Sequence, residues 1–146
     1  WHDEVQNYLD EFMRLEGRGD YSGSTCPRCS NTFHPEDSPG YRCDDCDDSA
    51  LYCKTCTIAQ HIQQPLHRVK RWAGTYYEAV TLKSLGLRVQ LGHRPGNTCY
   101  NPITAAGDTF IVLDLHGIHE VGLDFCGCEA AVPTVTQLLR YRWFPA

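Results

Sequence analysis

The residues of this chain best equipped for chemistry are its nine cysteines and seven histidines. Six of the cysteines form three Cys-x-x-Cys pairs, Cys26/Cys29, Cys43/Cys46 and Cys53/Cys56, and His61 and His67 follow closely. A Cys-x-x-Cys turn brings two thiolates near enough to share one ion, and zinc prefers four sulfur or nitrogen ligands in a tetrahedron. Three pairs and two histidines make two complete ligand sets with none left over. Disulfides would leave one of nine thiols unpaired, whereas cysteine pairs interleaved with histidines read as metal ligands in a reducing compartment. Two pairings satisfy the spacing. In a cross-braced one, Cys26, Cys29, Cys53 and Cys56 hold one ion, and Cys43, Cys46, His61 and His67 the other. In a sequential one, the first four cysteines share an ion, and Cys53, Cys56, His61 and His67 form a second site close to a zinc knuckle. Either way the sites are closed, with no open position for substrate or activated water, so these residues are scaffold.

Three cysteines remain: Cys99, Cys126 and Cys128. Residues two apart on a strand face the same side, and Gly127 permits a tight bend between Cys126 and Cys128. A histidine completes a third set of three cysteines and one histidine. His93 is favoured, because His93 and Cys99 bracket an Arg-Pro-Gly-Asn loop that can fold back on itself. His119 is the second choice, sharing a strand face with Val121, Leu123 and Phe125, where it reads more readily as a packed core histidine than as a ligand. His116 falls in a turn, in solvent.

The elements that must position these ligands follow from periodicity. Val5, Tyr8, Leu9, Phe12 and Leu15 form a helical stripe stopped by Gly17, expected to pack on the zinc region, and residues 18–25 are a Gly/Ser-rich linker. Thr75-Tyr-Tyr-Glu78 has the form of a capping box, which predicts a short helix ended by Gly86. Arg88-Val-Gln-Leu91 alternates as a strand. Thr109–Leu115 and Ile118–Phe125 are β-rich runs joined by His116-Gly117, the signature of a hairpin. Pro133 and a second capping box, Thr134 to Gln137, open a last helix. The expected fold is a small zinc-stabilised α+β protein. It divides into an N-terminal helix and linker (1–25), a cross-braced, treble-clef-like double zinc finger (26–74), and an α+β unit with hairpin, short helices and a third zinc (75–146), packed on the finger. The start at Trp1 is what a piece cut from a longer protein would have.

Two resemblances refine this reading. Tyr41-Arg-Cys-Asp-Asp-Cys46, Leu51-Tyr-Cys-Lys-Thr-Cys56, His61 and His67-Arg-Val69 resemble B-box and ZZ-type fingers, and that resemblance implies the cross-braced pairing. A second runs through nearly the whole chain. It is carried by Tyr8-Leu-Asp-Glu-Phe-Met-Arg-Leu-Glu-Gly-Arg-Gly19, the three cysteine pairs, His67-Arg-Val-Lys-Arg-Trp72 and Thr81-Leu-Lys-Ser-Leu-Gly-Leu-Arg-Val-Gln-Leu-Gly-His93. Gly117-Ile-His-Glu-Val121, Asp124-Phe-Cys-Gly-Cys-Glu129 and Arg142-Trp-Phe144 continue it. Together these blocks resemble the Cys-x-Cys-type cysteine cluster associated with fungal KDZ (Kyakuja, Dileera, Zisupton) transposases. The resemblance implies a nuclear, zinc-binding accessory region of a mobile-element protein whose catalytic carboxylates lie elsewhere.

Charge divides the functions that remain. Residues 1–50 carry a formal −8 and residues 51–146 a formal +3, and filling all three sites would move the total from −5 to −8. That balance disfavours sequence-blind nucleic-acid affinity but leaves room for a local basic face. Arg68, Lys70, Arg71, Lys83, Arg88 and Arg94, interleaved with Trp72, Tyr76 and Tyr77, could contact DNA; the bland alternative is core aromatics and a solvated basic face. Asp44, Asp45, Asp47 and Asp48 around Cys46 could instead hold a basic peptide such as a histone tail, as in similar ZZ fingers, or act only as solubilising and second-sphere groups. Oligomerisation, by analogy with B-boxes, is the remaining binding role. Neither a membrane span nor a small-molecule substrate is expected. Catalysis within this segment is disfavoured. His2-x-Glu4 followed by Cys26-x-x-Cys29 has the outline of a zinc deaminase, but the proline follows Cys26 instead of preceding it, and no nucleophile–base pair is legible.

Overall fold

A computed structural model describes residues 4–146. His2, part of the deaminase-like outline, lies outside them. The chain divides into two compact units, one of residues 1–59 with 67–80 and the other of residues 60–66 with 81–146. Among the described residues no helix is long and apolar enough to cross a membrane.

The first unit opens with helix α1 (Val5–Glu16), which ends where the sequence predicts, at Gly17. Its packing differs from expectation, because no residue of α1 is buried and Phe12 is 64% exposed. Its C-terminal end is tied down. The last carbonyls of a helix lack partners within it. The buried Arg42 guanidinium supplies donors to Leu15 O and, at 2.8 Å, to Gly17 O, and lies 4.3 Å from the Tyr77 ring centroid. A three-stranded antiparallel sheet follows, built of β1 (Tyr41–Cys43), β2 (Val69–Trp72) and β3 (Tyr77–Val80) in that order. Between β1 and β2 runs helix α2 (Lys54–His61).

The predicted helix over residues 75–86 is not there. Tyr77–Val80 pairs with β2, and Glu78 sits opposite Arg71 across the ladder. Arg71 Nε donates to Glu78 Oε2 at 3.0 Å, so the carboxylate that would have closed a capping box serves a cross-strand ion pair instead. Local propensity yields here to strand pairing with a segment the local pattern cannot register. This strand belongs to the first unit, where the sequence sets the division at residue 75.

The second unit is organised by β4 (Arg88–Gln90), β5 (Pro102–Thr104) and β8 (Gly122–Cys126), after the hairpin strands β6 (Ile111–Asp114) and β7 (Gly117–Glu120). β8 lies at the centre of its sheet, parallel to β4 and antiparallel to β5. Leu87, Val89 and Leu91 alternate with Arg88 and Gln90, putting one apolar face of this segment inward. They join Ala105, Val121, Leu123 and Leu138 among the buried side chains, with Phe110, Val112, Phe125, Tyr141 and Trp143 packed around the cluster. Helix α3 (Thr134–Arg140) supplies Leu138 to this core.

The predicted hairpin forms, with two adjustments. Asp114 pairs with Gly117, so the two-residue turn is Leu115-His116, one position earlier than expected. The second β-rich run also breaks. Its first half is β7, paired with β6, and its second half is β8, in the other sheet. β8 is buried at Gly122, Leu123, Asp124 and Cys126, with Asp124 at 8% exposure. Asp124 is held there by a bidentate Arg88, with Nε to Oδ2 at 2.6 Å and Nη2 to Oδ1 at 2.7 Å, and by the Thr104 hydroxyl at 3.1 Å.

Candidate metal centres

The fold brings the cysteines and histidines together in three groups of four, in each of which the ligand atoms lie within 4.8 Å of one another. The groups are Cys26, Cys29, Cys53 and Cys56; Cys43, Cys46, His61 and His67; and His93, Cys99, Cys126 and Cys128. All twelve residues singled out by spacing are used. His119 is not among them: on β7, its Nε2 lies 2.9 Å from Asp114 Oδ1. None of the nine cysteines is in a disulfide.

The first group is built from a turn and a helix start. Cys26 and Cys29 sit on a tight loop closed by Ser30 N–H donating to Cys26 O and Cys26 N–H donating to Asn31 O, both at 2.8 Å. Cys53 immediately precedes α2, its carbonyl accepting from Thr57 N at 2.9 Å and Thr57 Oγ1 at 3.0 Å, and Cys56 lies in the first turn. A helix N-terminus favours negative charge, which suits thiolates. Burial opposes ionisation of Cys26, but the N–H groups of Cys53, Arg28 and Cys29 outweigh it and draw its pKa down to about 6. Cys56 is pushed the other way, up to about 12, by burial and then by its thiol neighbours Cys53, Cys29 and Cys26.

In the second group, Cys43 ends β1, Cys46 lies in the turn beyond it, His61 is the last residue of α2, and His67 precedes β2. His67 Nδ1 lies 3.5 Å from Cys43 Sγ and 3.4 Å from Cys46 Sγ. Asp45 fastens this corner: it accepts from Arg68 N at 2.6 Å and Arg68 Nη2 at 2.5 Å, and Asp44 N donates to Arg68 O at 2.9 Å. The Arg68 guanidinium holds the Asp45 carboxyl down to a pKa of about 2 despite partial burial.

The third group lies where β4 and β8 end. Gly92 and His93 follow β4, Cys99 is buried, and Cys126 closes β8, with Cys128 two residues on. Cys99 Sγ lies 3.5 Å from Cys128 Sγ, and Cys128 Sγ lies 3.9 Å from His93 Nε2. Gly127 is needed for close approach, since a Cβ there would fall 2.7 Å from Ile103 Cδ1 and 3.0 Å from Asn101 O. Asn101 clasps the same turn, its O accepting from Gly127 N at 2.9 Å and its Nδ2 donating to Gly127 O at 2.6 Å. Neither Asn101 nor the Asp45–Arg68 clamp is legible in the sequence, because both act on backbone far away along the chain. The closest sequence signal was the placing of Asp45 as a second-sphere group.

The donor chemistry fits a metal of zinc's size. Ligands about 2.0–2.3 Å from zinc in a tetrahedron stand about 3.3–3.8 Å apart. The ligand–ligand distances of 3.4 Å for Cys29–Cys53 and 3.5 Å for Cys99–Cys128 fall in that range. Burial and the neighbouring Cys43 raise Cys46 to about 11, so these thiols ionise together only beside a cation. What the groups can do is bind metal and lock loops.

The charged residues proposed as ligand-binding are largely engaged within the chain. Lys70 pairs with Asp44 at 2.6 Å, and Arg68 with Asp45. Arg71 pairs with Glu78, and Lys83 with Glu120 at 2.7 Å. Arg88 pairs with Asp124 and, at 2.9 Å, with Asp108. Asp48 takes the Tyr52 hydroxyl and, at 2.8 Å, Ala50 N–H. Arg94 and Asp47 are exposed and have no side-chain partner among the described residues. Trp72 and Tyr77, offered as base-stacking groups, meet each other edge-to-face at 4.8 Å between centroids, while Tyr76 is 57% exposed.

No curated protein and no solved structure matches the chain. The third group lies within a stretch that does match a protein family, while residues 1–81, with the first two groups, lie outside it. Residues 82–146 match the family described as "CxC2 like cysteine cluster associated with KDZ transposases".

Proposed function

We propose that this chain is a zinc-built, non-catalytic recognition module of a KDZ-type transposase protein, which assists the targeting of that protein to DNA or chromatin in the nucleus. One observation carries the reading: twelve cysteine and histidine ligands gathered into three four-membered groups, each with the donor set of a closed structural zinc site. In this reading the first two sites are cross-braced, since their members alternate in pairs along the chain from Cys26 to His67. Zinc supplies no reaction here. It ties loops together, and the chain's own residues orient the ligands: Asp45 and Arg68 around Cys43 and Cys46, and Asn101 around the Cys126–Cys128 turn.

The association with transposases supports a role near DNA. Of the six basic candidates, Arg94, on the loop between His93 and Cys99, is the one that is exposed with no side-chain partner among the described residues. For Arg68, Lys70, Arg71, Lys83 and Arg88, a phosphate would have to displace a carboxylate. Metal analysis of the purified, reduced chain tests the scaffold and is expected to return three zinc ions; two or fewer would sink the three-site reading. A salt series of DNA binding tests the targeting role, with log affinity falling by about 0.9 per phosphate contact for each tenfold rise in salt. A zinc-loaded chain that binds neither the element's terminal sequences nor other DNA at low salt would remove the DNA role and leave the scaffold standing.

A further inference from the structure

Gln137 is polar, buried to 3% exposure, and lies in the middle of α3. The capping box starting at Thr134 would turn its side chain back to the start of the helix, yet α3 has no side-chain cap. Instead the amide reaches β8. Its Oε1 accepts from Cys126 N–H at 2.8 Å, and its Nε2 donates to Cys126 O at 3.0 Å and to Val132 O at 2.8 Å.

The N–H and C=O of one strand residue point to the same side, where a neighbouring strand would normally meet both. β4 ends at Gln90, opposite Asp124, so nothing in that strand extends far enough to meet Cys126. On the side of β5 the ladder bond is made by the next residue, Gly127 N–H donating to Asn101 O at 2.9 Å, so the Cys126 N–H and C=O point away from β5. The Gln137 amide stands in for the missing strand. Gly92 makes the room: a Cβ there would fall 2.5 Å from Cys126 Cβ and 3.2 Å from Gln137 Oε1, and its φ of +79° suits glycine.

We propose that Gln137 is the positioning residue of the third metal centre. By gripping Cys126 at both N–H and C=O, it fixes the backbone angles on either side of that Cα, and so the direction in which Sγ points and the path into Gly127 and Cys128. The inference rests on the reading of His93, Cys99, Cys126 and Cys128 as a zinc site. It adds a residue outside the ligand set that controls how well that site holds its ion, as outer-sphere partners of metal ligands do.

The test uses the full, zinc-loaded chain and a chromogenic chelator that reports each ion as it leaves. Gln137→Met keeps the length and bulk of the side chain but removes all three hydrogen bonds. One ion of three is expected to be held about 10–100-fold more weakly, with the other two unchanged. The cobalt-substituted variant should show an altered visible spectrum for one site in three, which a loss of packing alone would not produce. Gln137→Leu, which removes the same three hydrogen bonds with a branched apolar side chain, should weaken the same single site; it carries the test if the methionine variant fails to fold. Release of all three ions at the wild-type rate would overturn the proposal, as would a weakening shared equally by all three. Failure of the underlying reading looks different: the wild-type chain itself would hold no third ion, leaving Gln137 nothing to position.

Discussion

The two units solve the problem of building a core in different ways. In the first, three of the four cysteines of one ligand group, Cys26, Cys53 and Cys56, are themselves the buried cluster, with Phe33 and Tyr52 against them. Apart from cysteines, its buried apolar side chains among the described residues are Tyr41, Leu51 and Val69. The second unit has an aliphatic core of Val89, Leu91, Ala105, Val121, Leu123 and Leu138, and its ligand group sits at the edge where two strands run out. With zinc bound as proposed, the first unit would draw from metal the free energy that burial provides in the second, and the same four-ligand chemistry would be a keystone in one place and a clasp in the other.

Metal removal puts the largest load on that contrast. A structural zinc site contributes on the order of 10–16 kcal/mol of apparent binding free energy, more than a small unit's whole stability. Stripping zinc with a strong chelator should abolish amide protection in β1, β2 and β3 while β4 and β8 keep theirs, measured by hydrogen exchange. Simultaneous loss in both sheets would refute the contrast. Replacing Cys53 with serine should reproduce the first part without a chelator.

Next in size is the converse experiment. Leu123 is fully buried, and Leu123→Ala should cost the second unit about 2–5 kcal/mol, read by denaturant unfolding with Trp143 as the local fluorophore. The zinc held by Cys26, Cys29, Cys53 and Cys56 should be unaffected. A smaller loss is expected from Arg88→Met. It leaves the Asp124 carboxylate buried with only the Thr104 hydroxyl, at a cost of about 1–3 kcal/mol. That variant also sharpens the question of DNA contacts, because a drop in affinity that follows the drop in stability assigns Arg88 to the fold. The smallest effect belongs to α1. Phe12→Ser should change stability by less than about 0.5 kcal/mol, because the side chain is 64% exposed. A large loss there would mean that the helix is seated in solution.

How much of this was legible depends on the range of the interaction. Cysteine spacing is local, and it pointed to the twelve residues that the fold gathers into three groups, His93 and not His119 among them. The extent of α1, the strand at residues 88–91 and the start of α3 also came from local patterns. What escaped were the places where a residue answers a distant partner. Glu78 has the position of a cap but pairs with Arg71 across a ladder. Gln137 has the position of a cap but holds Cys126. The run from Ile118 to Phe125 reads as one strand, yet it serves two sheets.

By itself, then, the sequence determined which side chains have the chemistry to bind metal: nine cysteines and three histidines that divide into sets of four. A coordination shell needs only the right donors at spacings a short turn can close, so it is written in the order of residues. The tertiary structure decided between the two groupings that the spacing left open, how the donors are aimed, and which charges remain free. Grouping brings together residues up to 35 positions apart, from His93 to Cys128, and 30 apart from Cys26 to Cys56. Free charge is what remains after every long-range ion pair has formed. Both are sums over contacts between distant segments, which no local pattern carries.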